Sequence, residues 1–134
     1  MKTLTVDAKP ENLSCVTDFL DAYLEEIGCP MKTQMQLDLC VEELFVNIAS
    51  YAYPDTAGKA TVEMCFSNGV LTLKFRDSGI PYDPLKKPDP DTTLSADERQ
   101  IGGLGIFLVK KTMDAVSYKR ENGEKMLTIQ KKIR

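Results

Sequence analysis

Apolar residues recur along this chain in two rhythms, and the points where the rhythm changes divide it into elements. Leu4 and Val6 alternate with Thr3 and Thr5, which predicts a short strand over residues 3–6. Pro10 suits a first helical turn, and Leu13, Val16, Leu20, Leu24 and Ile27 then follow helical spacing until Gly28 offers a stop. A second helix is predicted over residues 31–52, with Leu37, Cys40, Val41, Leu44 and Ile48 as its core stripe and Pro54 beyond its end. Leu39 and Val46 face the other way.

Val62, Met64 and Phe66 alternate with Thr61, Glu63 and Cys65, and the alternation resumes after Ser67-Asn68-Gly69 at Leu71, Leu73 and Phe75, which predicts a hairpin. From residue 79 to residue 101 the chain is rich in proline and aspartate and loses its periodicity, as a lid or insertion does. A third helix is expected over residues 103–114, followed by two strands joined at Asn122-Gly123. The order β-α-α-β-β-loop-α-β-β implies an α+β fold. It is a two-layer sandwich in which a mixed, mostly antiparallel sheet carries its helices on one face. No repeat or linker breaks the pattern, so residues 1–134 are read as one domain with a lid over about 81–101.

Composition narrows the chemistry. A chain of 134 residues that is 43% hydrophobic buries enough surface for one core, and its net charge of −3 supplies no basic field for nucleic acid or anionic lipid. No apolar run approaches the roughly 20 residues needed to cross a bilayer, and the N-terminus lacks a signal-peptide core, so a cytoplasmic protein is expected. The four cysteines, Cys15, Cys29, Cys40 and Cys65, form no Cys-x-x-Cys pair and read as reduced thiols. Histidine is absent, which removes Ser-His-Asp and Cys-His schemes and the usual zinc sites. Carboxylates, amides and backbone are left to do any chemistry.

Three local signals remain. Glu43 and Asn47, four residues apart, fall on one flank of the second helix, where an amide oxygen is a hard ligand for Mg²⁺ and a carboxylate is a base. Asp77-Ser78-Gly79 follows a strand, delivering a carboxylate that can accept the exocyclic amine of a purine beside a glycine that lets backbone come close. Gly102-Gly103-Leu104-Gly105 opens the third helix, where free N–H groups and the positive dipole end favour phosphate oxygens. It matches neither a Walker loop nor a dinucleotide fingerprint. Taken singly, the first two signals are better read as an ordinary helix flank and a common turn, and the glycine-rich helix start does not by itself identify a phosphate site.

In combination the sequence resembles the gyrase, heat-shock chaperone, histidine kinase and mismatch-repair ATPases of the Bergerat ATP-binding fold. Within that group it looks most like the anti-sigma factor serine kinases. The resemblance rests on Glu42-Glu-Leu-Phe-Val-Asn47, Asp77-Ser-Gly-Ile-Pro-Tyr-Asp-Pro84, Ile101-Gly-Gly-Leu-Gly-Ile-Phe-Leu-Val109 and Met113-Asp-Ala-Val-Ser-Tyr118, and it spans nearly the whole chain. It implies Glu43 as general base, Asn47 at the magnesium position, Asp77 at the adenine position and Gly79 in support of the adenine loop. It also implies Gly102, Gly103, Leu104 and Gly105 along the phosphates, Arg99 from the lid toward the γ-phosphate and Thr128 near adenine, although cross-strand pairing is the ordinary role for such a threonine. The implied ligands are ATP and Mg²⁺; the implied partners are an anti-anti-sigma protein of the STAS class and a sigma factor, while Leu39 and Val46 could serve a second copy of the chain, with core packing their ordinary use. Pro81 departs from the second glycine of many superfamily members, and Tyr51 stands where relatives often carry histidine. A non-catalytic ATP-binding switch and an interaction module stay open as other readings.

Overall fold

The computed structural model describes residues 1–53, 57–80 and 103–133, and of residues 103–106 the backbone alone. The elements follow the predicted order: β1 (Lys2–Asp7), α1 (Leu13–Glu26), α2 (Met31–Tyr51), β2 (Lys59–Ser67), β3 (Val70–Asp77), α3 (Gly103–Thr112), β4 (Ala115–Glu121) and β5 (Glu124–Lys132). A short 3-10 turn over Pro10–Asn12 leads into α1. Gly28 ends α1 in the left-handed region at φ 72°, and the Gly28 and Cys29 amides close on the carbonyls of Glu25 and Leu24. The expected stop at this glycine is thereby realised.

Both hairpins turn through an Asn-Gly pair at positive φ, Asn68-Gly69 and Asn122-Gly123, the geometry that matches strand twist in a two-residue loop. The sheet order is β1-β2-β3-β5-β4, and every described pairing is antiparallel, so the sheet is more uniform than the mixed one expected. The reason is that both hairpins close locally and β5 returns against β3 in the opposite sense. Strand phase sets the layers. Ala60, Val62, Met64, Leu71, Leu73, Phe75, Leu127 and Ile129 point to the side where Val16, Leu20, Leu24, Leu37, Val41, Leu44 and Phe45 of the helices pack. Each fully buried aliphatic or aromatic side chain of that set contributes about 1.5–3 kcal/mol relative to exposure.

The third helix stops at Thr112, two residues earlier than its spacing predicts. Met113 turns into the core and Asp114 is drawn to β5, where its amide donates to Gln130 and its carboxylate accepts the Lys132 amide. Lys131 donates its ammonium to the Thr112 carbonyl at 2.8 Å, closing the helix end. Among the described residues no helix is long and apolar enough to cross a membrane.

Candidate functional site

Helix α2 is held by one buried stripe, and its polar flank is therefore fixed in direction. Leu37, Cys40, Val41, Leu44 and Phe45 are buried, which leaves Asn47 half-buried at the sheet side and Glu43 exposed one turn earlier. Burial pushes the Cys40 thiol up to about 11, so it is an inert core thiol, as its position suggests.

Asp77 ends β3 on the inward phase of the strand, 5% exposed, and its Oδ1 accepts the Gly79 amide at 2.9 Å. The same oxygen lies 3.2 Å from Nζ of Lys125, which sits directly across the ladder on β5 and is 7% exposed. An ion pair this deep is held by mutual need, because either charge alone in that setting is costly.

The loop after Asp77 is stitched to the end of α2. The Ile80 amide donates to the Ala52 carbonyl at 2.9 Å, and a Cβ on Gly79 would stand 2.2 Å from that carbonyl oxygen, so only glycine permits the approach. Tyr53 adds a second stitch. Its hydroxyl accepts the Ser78 amide at 2.9 Å and donates to the Lys59 carbonyl at 2.7 Å, and burial raises its pKa and keeps it a donor. The tyrosine ring occupies the space that a side chain on Gly58 would need.

A small cavity, open to solvent, lies between α2 and the sheet beside this junction. Leu44, Ile48, Phe75, Tyr118 and Leu127 wall it, while Asn47, Asp77 and Lys125 supply its polar groups. Such a slot, with apolar walls and a carboxylate at one end, suits a planar heterocycle bearing an amine. A second, roomier hollow lies between α2 and α3, bordered by Leu39, Cys40, Glu43, Leu108 and Thr112. The structure thus brings Asn47 and Asp77 into one cavity and opens Glu43 onto the neighbouring groove, one helical turn away.

The remaining expected residues fall differently. Gly103, Leu104 and Gly105 form the first turn of α3, the helix that packs on α2 through Val109. Gly102, Arg99 and the lid over about 81–101 lie outside the described residues. Thr128 is not brought to the cavity. It lies on the opposite phase of β5, on the sheet face without helices, between Lys74 and Ser117 in register. That face is a polar surface, where Thr5 bonds Thr61, Gln130 bonds Thr72 and Arg76 pairs with Glu63. Lys125 is the cavity residue that sequence reasoning missed. Its signal was a lysine on the inward phase of a strand, two residues from Leu127 and four from Ile129.

Among the described residues no group of three acidic, cysteine or histidine side chains exists that would cage a metal. One amide at Asn47 fits an ion such as Mg²⁺, which keeps waters and takes most of its oxygens from phosphates.

An antiparallel sheet with helices on one face, and a cavity between the two layers that ends in a carboxylate, is the architecture of a histidine kinase-like ATPase module. Residues 6–131 match the family model of the histidine kinase-like ATPase domain. The chain belongs to that family, within the branch of anti-sigma factor serine kinase-like ATPases. It is 31% identical over 99 residues to a serine/threonine-protein kinase, BtrW, of Bordetella bronchiseptica, covering 73% of this chain and 70% of that protein. It is 28% identical over 126 residues to the serine-protein kinase RsbW of Listeria monocytogenes, covering 90% and 80%. The fold is shared with the RsbU and RsbW domains of a Mycobacterium tuberculosis protein, at a TM-score of 0.66 and 13% identity, over 99% of this chain and 33% of that one.

Proposed function

We propose that this chain is an ATP-dependent protein serine kinase of the anti-sigma type. It transfers the γ-phosphoryl group of ATP to a serine of an anti-anti-sigma protein of the STAS class, and it sequesters a sigma factor as the alternative partner. The observation that carries this reading is the meeting of Asn47 and Asp77 in one apolar-walled cavity, in a chain whose family uses ATP.

In this reading Asp77 accepts the exocyclic amine of adenine, and Gly79 keeps its loop against α2. Asn47 would hold Mg²⁺ through its amide oxygen, and the ion when bound would supply charge neutralisation to the phosphates. Backbone N–H groups of Gly102, Gly103, Leu104 and Gly105 at the start of α3 offset the charge that develops on the transferred group. Arg99 reaches the γ-phosphate from the lid. Glu43 takes the proton of the serine hydroxyl as its oxygen bonds to the γ-phosphorus. The bond from that phosphorus to the bridging oxygen then breaks, and ADP leaves with the electron pair. A cytoplasmic location and a second copy of the chain as partner complete the reading.

Incubating the protein with Mg²⁺-ATP and candidate anti-anti-sigma proteins, with serine phosphorylation read by mass, tests it. Phosphoserine on one partner, lost in Glu43→Gln while ATP still binds, is expected. One observation favours a second reading, a non-catalytic ATP-binding switch: Glu43 opens onto the groove beside the cavity rather than into it. Tight ATP binding without phosphate transfer to any partner would select the switch.

A further inference from the structure

The buried Asp77–Lys125 pair presents two hydrogen-bonding groups of opposite kind at the base end of the cavity, and the reading of Asp77 as the purine acceptor uses one of them. We propose that Lys125 is a specificity-determining residue of the nucleotide site, which lets the cavity accept 6-oxopurine nucleotides beside ATP. The inference rests on the ATP-site reading above and deepens it.

A carboxylate alone at this position favours a 6-amino base. Asp77 accepts the adenine amine, whereas the carbonyl at position 6 of guanine or hypoxanthine would set acceptor against acceptor in a buried slot. Sites with one such mismatched polar group reject the wrong partner strongly, because the group is left desolvated without a bond. Here the conflict has an answer. Nζ of Lys125 lies 3.2 Å from Oδ1 of Asp77, it lines the same cavity, and it arrives from the strand directly across the ladder. The edge of a 6-oxopurine carries a carbonyl acceptor next to an N1–H donor. The ammonium donates to the carbonyl while the carboxylate accepts from N1–H, so both buried charges keep a partner. With adenine the carboxylate takes the amine and the ammonium stays on the carboxylate.

Lysine suits this double use. Its ammonium is a compact charge on a flexible stem with three donors, so it serves the carboxylate and a carbonyl together without the fixed fork of arginine. Its apolar stem continues the wall formed by Phe75 and Leu127.

The test measures equilibrium binding of Mg²⁺ complexes of ATP, GTP and ITP to the full chain and to Lys125→Met and Lys125→Arg, with thermal melts alongside. Wild type is expected to bind GTP and ITP within about thirtyfold of ATP, where a lone carboxylate would discriminate by orders of magnitude more. Lys125→Met should weaken GTP and ITP by about tenfold or more relative to ATP, and Lys125→Arg should keep most of their binding. ITP lacks the 2-amine of guanine, so a parallel loss for GTP and ITP locates the effect at position 6. A wild-type gap wider than thirtyfold would overturn the proposal. An equal loss for all three nucleotides in Lys125→Met would also overturn it, leaving Lys125 as a structural partner of Asp77. Should Lys125→Met fail to fold, the wild-type ratios and Lys125→Arg still decide. Failure of wild type to bind any of the three would sink the ATP-site reading itself, an outcome distinct from ATP binding with GTP and ITP excluded.

Discussion

The two ends of the site are built on different principles. At the sheet end Asp77 and Lys125 are almost fully enclosed, locked by a ladder register, a buried ion pair and two stitches to α2. At the helix end Glu43 is exposed on α2, facing a groove shared with α3. The sheet end is prepared before any ligand arrives, as a recognition surface must be. The helix end is left open, and in the proposed reading a base that serves a partner's hydroxyl needs that openness. Stability and chemistry are therefore expected to separate along α2.

Glu43→Gln offers the sharpest way to break this comparison. Loss of a general base costs about 10²–10⁴ in rate, so phosphotransfer should fall by that factor while the melting temperature stays within about 2 °C. A large loss of stability in this variant would show that the helix end is structural after all. Asp77→Ala should behave in the opposite way. It strands the buried ammonium of Lys125, so unfolding free energy in a denaturant titration should drop by about 3 kcal/mol, together with nucleotide binding. The double variant Asp77→Ala/Lys125→Met should recover most of that stability without recovering binding, since the stranded charge is gone but the acceptor is not restored.

Gly79→Ala sharpens the picture at the junction. The new methyl group meets the Ala52 carbonyl, and overpacking of this kind costs about 1–3 kcal/mol, with weaker nucleotide binding measured by titration. The smallest effect lies outside both ends, between α1 and α2. Burial, then the hydrogen bond and charge of Asp21, push the Asp38 carboxyl up to about 7 from 3.8, and its Oδ1 is buried with no hydrogen-bond partner. A carboxyl raised on folding binds more protons in the native state, so its contribution is full below pH ~4 and is lost as the pH rises through ~7. Stability should fall across that window, and Asp38→Asn should flatten the slope and gain about 1 kcal/mol at pH 8, read from melts at several pH values.

Much of the fold was legible because its elements obey strong local rules. The Asn68-Gly69 and Asn122-Gly123 turns, the stop at Gly28 and the stripe from Leu37 to Phe45 each carry their own physical reason in the sequence. The end of α3 was less so, because Thr112 and Asp114 are claimed by Lys131 and Lys132 of a strand distant in sequence. The site was legible in the same unequal way. Asn47 and Asp77 were found from helix flank and strand end, and they share a cavity. Lys125 lines that cavity and Thr128 does not, since strand phase, which follows from the register of β5 on β3, decides which of them looks inward. A residue type that resembles a motif counts for less than the side of the sheet on which its side chain stands.

The joint between α2 and the strand-end loop has a bearing on transplantation. Because the Ala52 backbone lies where any larger residue at position 79 would stand, and Tyr53 is wedged over Gly58, residues 52, 53, 58 and 79 behave as one interlocking part. Grafting the strand-end loop of this chain onto another ATPase will succeed when the four travel together, and a donor loop brought in without its matching helix terminus will tilt Asp77 out of the slot.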